Sequence, residues 1–593
     1  MGGITIVTDK KQISRHRHCV EAAHALAEYR GSSQIVEGDD YIIGVQRRHN
    51  EALLINDSHS SLAIHGHIAP SSLRELNLSG LNNVKNHLNN QNFKILQKLD
   101  GEFSLAYVNK ASGVIIFYCS TSATRPLFFS TTGSRFALGT EIRQVLKLTG
   151  LSPIINKPAW AQHLAYGHQL LDLESTLYAG VQRAHAGCIH ILSTPTGKLE
   201  RIPYAQDCSI ASSLQKDTAG QVLLNAVKTA VDNSLQDAPM GLALSGGLDS
   251  SLILSCADDI YKQQPSRGKV FSYSITFPGW EMDEALHIKN CLNTLQRDGK
   301  YIDGTRHQPS RYFEQLNAHL DLAPATLTDC YLDILGPAMS QDGCQYRLSG
   351  FAGDLTLGSD LFYVADYARQ GRIIKALKDA ILFQNQDAFS FKKALRRIYH
   401  LIMFPKCSNP GRERPNTPSW LHPSQSGIIH DCAVKICAHI REHGLSLGPR
   451  LLLLDVLRSG AWSDVVEQRS AQWGMDTLSP LAHQGIVDLT FRMPPDWLDG
   501  GRHNRFLIRE ASQNLVPDAC RKYNPKVLHD RFIKSDTNLL AFTGTPQHWR
   551  LVHEQLIDAA EITKLVALCK STGRIDLQLS RILRAEYLAR KFD

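Results

Sequence analysis

The chain has 593 residues, of which 43% are hydrophobic and 20% are charged. This length exceeds what one hydrophobic core supports and predicts at least two domains, and the composition excludes an intrinsically disordered or coiled-coil chain. The net charge of +7 is too dilute over such a length to predict nucleic-acid binding.

The cysteine and hydrophobicity patterns predict a cytoplasmic protein without a membrane or nucleic-acid partner. Its 13 cysteines include no CxxC pair, so neither a zinc site nor a disulfide framework is expected. The first residues lack the basic and apolar regions of a signal peptide. No segment reaches the ~20 apolar residues that a membrane helix needs.

Short β-like runs separated by Gly, Asn and Ser breaks dominate the N-terminal part. They predict an antiparallel β-rich domain over residues 1–205, followed by a linker between Ser193 and Ser213. The predicted strands are Gly3–Val7, Tyr41–Gln46, Ala52–Ile55, Ser61–His67, Ser104–Val108, Gly113–Cys119, Pro126–Ser130 and Phe136–Gly139.

A second domain, residues 215–593, is predicted to be an α/β unit with a parallel sheet and many helices. An amphipathic helix over Ala219–Leu235 leads to a strand, a Gly-rich turn and a helix that continues through Cys256. Further strands are expected at Val270–Phe277 and Tyr346–Ser349. A stretch rich in basic residues and proline predicts an exposed insertion at about 360–420.

The Gly-rich turn SGGLDSS predicts a phosphate-binding site. Backbone N–H groups and a helix N-terminus both favour an anion there, and the carboxylate of Asp249 can hold Mg²⁺ against the phosphates. The turn lacks the Gly-Lys-Ser/Thr ending of a Walker A loop. The predicted nucleotide-binding residues of the turn are Leu244, Ser245, Gly246, Gly247, Asp249 and Ser250.

SGGLDSS resembles the pyrophosphate loop of ATP pyrophosphatases, and other segments resemble the asparagine synthetase family over nearly the whole chain. The resemblance implies ATP and Mg²⁺ as cofactors. Ser274–Phe277, followed by an acidic pair at Asp283 and Glu284, is similar to the family's second strand, where a backbone group near Ile275 would contact adenine.

Leu348–Asp354 is similar to the family's segment that closes over the nucleotide. The resemblance implies that Ser349 and Gly350 contact the nucleotide. It also implies that Asp354 supplies the second Mg²⁺ carboxylate, beside Asp249.

The N-terminal segments Leu99–Ala106, Arg125–Phe129 and Phe136–Ile142 are similar to the family's class II glutaminase domain, an αββα (Ntn) fold. The nucleophilic cysteine of that domain follows the initiator methionine, and here that position is a glycine, Gly2. The family's Asn-Gly-Glu, whose Asn helps form the oxyanion hole, reads His65-Gly66-His67. We therefore expect a glutaminase-like fold that does not hydrolyse glutamine.

The same two histidines also suggest a metal pair. No third ligand is evident in the sequence, so partly exposed strand residues are the favoured interpretation of His65 and His67.

A glutaminase domain without activity implies that the enzyme joins its carboxylate substrate to an amine other than ammonia released from glutamine. β-Lactam synthetases and lasso peptide cyclases are two such groups in the family, and both resemble the chain between Pro494 and Lys526. The resemblance implies that Lys526 reaches the pyrophosphate and the acyl-adenylate. The catalytic base is expected at Asp464 or Glu467, for which a solvated helix face is an equal alternative.

Phe351 stands where β-lactam synthetases keep a tyrosine that shares a proton with the base, which favours a lasso peptide cyclase. Such an enzyme adenylates an Asp or Glu side chain of a precursor peptide, and the N-terminal amine then closes a macrolactam. A leader peptidase and a leader-binding protein are the implied partners. The alternatives are a β-lactam synthetase-like or ammonia-using amidoligase and a non-catalytic scaffold; the intact SGGLDSS, Asp354 and Lys526 argue against the scaffold.

Overall fold

The computed structural model describes most of the chain, and within that part no helix is long and apolar enough to cross a membrane. Lys526 and most of the predicted basic insertion lie outside the described residues. The described residues are 2–9, 17–49, 52–132, 135–265, 269–281, 283–308, 331–358, 362–384, 417–500, 504–522, 544–573, 575 and 577–592.

The N-terminal part forms two six-stranded antiparallel sheets, with strand orders β10-β8-β9-β1-β3-β2 and β12-β11-β7-β6-β5-β4. The strands are β1 Gly2–Asp9, β2 Ser32–Glu37, β3 Tyr41–Arg47, β4 Ala52–Asn56, β5 Ser60–Ile68, β6 Gly101–Asn109, β7 Val114–Cys119, β8 Phe128–Thr132, β9 Arg135–Gly139, β10 Gln182–Arg183, β11 Ile189–Ser193 and β12 Leu199–Ile202. The helices are α1 Arg17–Ala25, α2 Pro70–Glu75, α3 Leu81–Asn89, α4 Ile142–Thr149 and α5 Lys157–Tyr166.

Alternating apolar residues make the two sheets pack face to face. Ile6 and Ile43 of the first sheet share a buried cluster with Ala106 and Phe117 of the second. The outer face of the first sheet is covered by α1, α4 and α5, and that of the second by α3. This is the αββα layering that the sequence resemblance implies.

The C-terminal part is built on a five-stranded parallel sheet of order β15-β14-β13-β16-β17. Its strands are β13 Met240–Ala243, β14 Val270–Thr276, β15 Gly299–Asp303, β16 Tyr346–Leu348 and β17 Asp476–Leu478. Apolar side chains of the sheet pack with α6 and α7 in one buried cluster. Its first helices are α6 Lys216–Ser234, α7 Leu248–Gln263, α8 Ala285–Thr294, α9 Tyr331–Gln341, α10 Gly353–Thr356, α11 Phe362–Arg369 and α12 Ile373–Gln384.

The remaining helices surround this sheet and reach back to the first domain. They are α13 Ser426–Arg458, α14 Ser463–Gln472, α15 Gln484–Phe491, α16 Pro495–Asp499, α17 Phe506–Ala511, α18 Asp518–Arg521, α19 Arg550–His553, α20 Ala559–Thr572 and α21 Leu577–Ala589. Helix α13 is interrupted at Gly444, whose φ is +85°. Helices α20 and α21 pack with α4 and α5. Short 3-10 helices span Glu28–Arg30, Phe93–Lys98, Gly304–Arg306, Pro423–Gln425, Pro480–Ala482, Pro546–His548 and Arg590–Phe592.

Two expectations from the sequence are corrected by the structure. The predicted linker begins inside a hairpin, since β11 and β12 pair antiparallel across it. Cys291 and Cys520 form a disulfide between α8 and α18, which the cysteine spacing did not indicate.

Candidate functional site

The Gly-rich turn lies between β13 and α7, where the sequence places it. Gly246 has a φ of +73°, a conformation that L side chains rarely adopt, and an added Cβ would lie 2.7 Å from the His287 ring. The Gly247 N–H and the Ser250 hydroxyl both lie 3.3 Å from the Ser245 hydroxyl oxygen. The turn therefore holds its hydroxyl and N–H groups together at the start of α7.

The segment that follows β16 lies directly against this turn. A Cβ added to Gly353 would lie 2.6 Å from Cγ of Asp249, and one added to Gly350 would lie 3.1 Å from Cβ of the same residue. Glycine at these two positions lets the backbone approach Asp249. Asp354, in the first turn of α10, is thereby brought beside Asp249, as the sequence predicted.

Arg505 connects the two carboxylates. One terminal guanidinium nitrogen of Arg505 lies 2.7 Å from both carboxylate oxygens of Asp249 and 3.0 Å from Oδ1 of Asp354. Burial raises the pKa of the Asp249 carboxyl, and Arg505 acts in the opposite direction. Against the lowering effect of burial, Asp249 and Asp354 raise the pKa of Arg505. We call Asp249, Asp354 and Arg505 the loop cluster.

The residues of the loop cluster fit a Mg²⁺–ATP site. Carboxylate oxygens are the ligands that Mg²⁺ prefers, and Asp249 and Asp354 already converge on one positive charge. The absence of a Cβ at Gly246 and Gly353 leaves room for the His287 ring and the Asp249 carboxylate beside the turn. Asp249 and Asp354 would hold the metal, and the Ser245–Gly247 backbone would hold the phosphates.

Other predicted nucleotide residues lie around this turn. The Leu244 N–H donates to the Tyr273 carbonyl of β14, which aligns the turn with the strand that carries Ile275. Ser349 follows β16 directly, and its hydroxyl accepts a hydrogen bond from the Phe351 N–H at 3.2 Å. Asp283, from the acidic pair, accepts hydrogen bonds from the Phe277 N–H directly after β14, at 2.9 Å, and from the Ala285 N–H at the start of α8, at 3.2 Å.

Sequence reasoning missed His287 on α8. Its Nε2 lies 3.0 Å from the carbonyl oxygen of Gly246. The single signal in the sequence is its position one turn after the acidic pair, which was too weak to indicate a contact with the turn.

Two cavities meet at Phe351, and one of them is lined by Asp354 of the loop cluster. One, of about 270 Å³, lies at the carboxyl ends of the parallel strands and is lined by Ala243, Ser349, Glu467 and Ser479. The other, of about 440 Å³, has walls formed by Asp354, Leu355, Arg450, Leu453, Leu457 and Trp462. Parallel α/β sheets bind ligands at this edge.

Asp464 and Glu467 on α14 are buried, so the solvated-face alternative is wrong. Both carboxylate oxygens of Asp464 accept hydrogen bonds from Arg183, at 2.7 and 2.8 Å. Burial raises the pKa of Asp464 to about 6. Glu467 accepts two hydrogen bonds from Arg30, both of 2.9 Å, and Arg30 also contacts Glu141 at 2.6 Å. We call Arg30, Glu141 and Glu467 the interface cluster.

The two candidate bases differ in position. Glu467 lines the 270 Å³ cavity beside Phe351. Asp464 instead lines a separate cavity of about 70 Å³ with Arg183. Both carboxylates therefore lie at the domain interface, and of the two only Glu467 also lines the cavity at the edge of the sheet where the predicted nucleotide site lies.

The glutaminase-like motif residues contact the second domain. The Asp100 carboxylate accepts hydrogen bonds from the Gln484 and Gly485 N–H groups at the start of α15, at 2.9 and 3.1 Å. Glu102 accepts one from the Ser479 N–H at 2.5 Å, and Arg125 donates one to the Thr477 carbonyl at 2.9 Å. These residues hold β17 and α15 against the N-terminal sheets.

His65 is fully buried, so its interpretation as a partly exposed strand residue is wrong. Neither ring nitrogen has a hydrogen-bond partner in the described part of the chain. Ligand atoms of Glu467 and Asp476 lie within 4.8 Å of it, but this group does not include His67, the other member of the suggested pair. Arg30 and Arg125 already neutralise these carboxylates, so the cluster is a poor cation site.

Comparisons with known proteins agree with the sequence resemblance. The family profile "Asparagine synthase" matches residues 221–586. "Asparagine synthetase [glutamine-hydrolyzing] 1" of Bacillus subtilis (strain 168) is 27% identical over 221 residues, covering 37% of this chain and 33% of that protein. The chain thus spans about a third of the length of that curated relative in the match.

Two solved structures show weaker likeness. The glutamine phosphoribosylpyrophosphate amidotransferase of B. subtilis, complexed with ADP and GMP, has a TM-score of 0.24 and 11% identity, covering 44% of this chain and 64% of that one. An allosteric regulatory enzyme of purine biosynthesis has a TM-score of 0.25 and 11% identity, covering 50% of this chain and 78% of that one. On the profile match, which spans more than half of the sequence, the chain belongs to the asparagine synthase family.

Proposed function

We propose that this protein is an ATP-dependent, AMP-forming ligase that joins a carboxylate to an amine. One observation carries the proposal: the SGGLDSS turn, Asp249 and Asp354 meet at the carboxyl ends of β13 and β16. Such an arrangement can bind the phosphates of a nucleotide with a divalent cation.

The reaction has two steps. A carboxylate oxygen of the substrate attacks the α-phosphorus of ATP, and the bond to the leaving pyrophosphate breaks. The amine nitrogen then attacks the acyl carbon, AMP leaves with the bonding electrons, and a base takes the ammonium proton. Mg²⁺ would neutralise charge on the pyrophosphate while the backbone and hydroxyl groups of Ser245–Gly247 position it.

Glu467 is the better candidate for the base. It lines the cavity next to the turn, and its two hydrogen bonds with Arg30 fix its orientation. A carboxylate there lies where the proton of the substrate amine can be received. Asp464 is held by Arg183 in another cavity, which supports a role in domain packing.

The proposed amine is the N-terminus of a peptide and not ammonia released from glutamine. Gly2 supplies no nucleophile at the start of β1, and His65 replaces the oxyanion-hole Asn. The 440 Å³ cavity beside Asp354 has room for peptide side chains. We infer that the enzyme closes an isopeptide macrolactam in a precursor peptide, as in lasso peptide biosynthesis, with a leader peptidase and a leader-binding protein as partners.

A small-substrate ligase is the second candidate, and the 270 Å³ cavity favours it. A cavity of this size suits one amino-acid derivative, as in a β-lactam synthetase-like or ammonia-using amidoligase. Phe351, which lines both cavities, cannot share a proton with a base, and this weighs against the β-lactam synthetase-like alternative.

The test uses purified protein with Mg²⁺, ATP and short peptides encoded beside its gene. The peptide proposal predicts AMP and pyrophosphate in equal amounts and a peptide product lighter by one water. AMP formed only with ammonium or with single amino-acid derivatives would favour the small-substrate candidate. ADP and phosphate as the products would overturn both.

A further inference from the structure

The loop cluster contains a positive charge where the proposed metal ligands converge. One guanidinium nitrogen of Arg505 contacts Asp249 at 2.7 Å and Asp354 at 3.0 Å. Mg²⁺ binds carboxylate oxygens at about 2.1 Å. The nitrogen and a metal ion therefore cannot both occupy the space between these oxygens.

The backbone of Arg505 is held in an unusual conformation. Its φ is +58°, in the left-handed region, which is unfavourable for a non-glycine residue. The buried carboxylate of Asp499 accepts a hydrogen bond from the Arg505 N–H at 2.5 Å. Gly358 keeps room for the side chain, because a Cβ there would lie 3.0 Å from Cγ of Arg505. These contacts thus hold the Arg505 side chain toward the Asp249 and Asp354 carboxylates.

A guanidinium displaced from Asp249 remains close to the phosphate turn. Asp249 lies in the first turn of α7, which begins directly after the Gly-rich turn. Guanidinium groups bind phosphate oxygens with two parallel hydrogen bonds. Burial and the neighbouring Arg505 lower the pKa of Arg509 to about 10, so the positive charges here are crowded and an anionic ligand would relieve them.

We propose that Arg505 is a nucleotide-binding residue that competes with the divalent cation for Asp249 and Asp354. A metal that enters with ATP displaces the guanidinium, which then binds the phosphates. Without a nucleotide, the arginine keeps the two carboxylates from binding metal tightly. The phosphate contact rests on the proposed function, whereas the competition for the carboxylates does not.

The test measures two affinities of the full chain and its Arg505→Met variant. Mn²⁺ binding without nucleotide, followed by electron paramagnetic resonance, should become at least tenfold tighter, which is about 1.4 kcal/mol. Mg²⁺–ATP binding should become at least tenfold weaker. Opposite signs in one variant distinguish competition from damage to the fold, which would weaken both.

Two controls keep the result interpretable. Arg492→Met removes an exposed arginine that pairs with Asp207 at 3.3 Å and should change neither affinity. Asp354→Asn should weaken both, because it removes a metal ligand. Arg505→Gln repeats the test if the Met variant does not fold.

Mn²⁺ affinity that is unchanged or weaker in folded Arg505 variants would overturn the competition. Unchanged Mg²⁺–ATP affinity would overturn the phosphate contact. A wild-type protein that binds no Mg²⁺–ATP would instead count against the proposed function, and the Mn²⁺ measurement would still decide whether Arg505 competes with a cation.

Discussion

The loop cluster and the interface cluster have the same chemistry, an arginine between two carboxylates, but differ in exposure. In the loop cluster the Asp354 side chain is 85% exposed, whereas Arg505 and Asp249 are 11% and 20% exposed. In the interface cluster Arg30 is 0% and Glu467 3% exposed. Solvent access at Asp354 lets charges in the loop cluster exchange partners, whereas the interface pairs have no water to replace a lost partner. The two clusters therefore differ in how readily their ion pairs can exchange partners.

The largest expected effect is on catalysis at the loop cluster. Asp249→Asn should reduce Mg²⁺-dependent pyrophosphate formation on the order of 1,000-fold, because a metal ligand beside the phosphates supplies several kcal/mol. The control is Asp259→Asn on the same helix, which removes a partly exposed pair with Lys228 and should keep normal activity. Equal activity in both variants would contradict the assignment of Asp249.

Substitutions in the interface cluster should lower the free energy of unfolding. Arg30→Met leaves Glu141 and Glu467 buried with one positive partner fewer, so the free energy of unfolding should fall by about 3–5 kcal/mol in urea denaturation. Arg17→Met removes an exposed pair with Glu37 and should lower the free energy of unfolding far less than Arg30→Met. Similar losses in the two variants would show that burial does not distinguish the clusters.

Lys526 stays a prediction, since it lies outside the described residues. If its ammonium stabilises charge in the transition state, Lys526→Met should lower turnover on the order of 100-fold and change ATP affinity far less. Single-turnover cyclisation beside an ATP titration measures both. A loss of ATP affinity as large as the loss of turnover would show that Lys526 binds the phosphates in the ground state. Unchanged turnover would show that Lys526 is a solvated surface residue.

The smallest expected effect is that of adding glutamine to the reaction. With Gly2 at the nucleophile position, the purified protein should release no glutamate from glutamine, and added glutamine should not change AMP formation. A coupled glutamate assay measures the release. Steady glutamate release that follows the protein through purification would disprove the loss of glutaminase activity.

The sequence predicted the main strands because their apolar alternation is clear. All eight strands expected in the N-terminal part are present within one to three residues at each end. β2 was missed because its residues are mostly exposed and give no alternating pattern. The predicted linker contains all of β12 and the last residue of β11, since the Thr, Pro and Gly residues between these strands have the composition of a loop and form a hairpin turn.

The loop cluster was predictable in part. The carboxyl ends of neighbouring parallel strands meet at one edge, so the motifs after β13 and β16 had to lie close together. The contact of Arg505 with the two carboxylates could not be predicted, because it depends on where α17 begins and on the hydrogen bond between the Arg505 N–H and Asp499. The pairing of Arg30 with Glu467 joins residues 437 positions apart, and no local pattern reports such a contact.

The central claim is that the loop cluster supports transfer of an adenylyl group to a peptide carboxylate. Labelling the side-chain carboxylates of the precursor peptide with ¹⁸O tests it most directly, because adenylation and amide formation leave one carboxylate oxygen on the phosphate of AMP. The account predicts one ¹⁸O in AMP and a peptide lighter by one labelled water. Unlabelled AMP beside a cyclised peptide, or label found in inorganic phosphate, would contradict it.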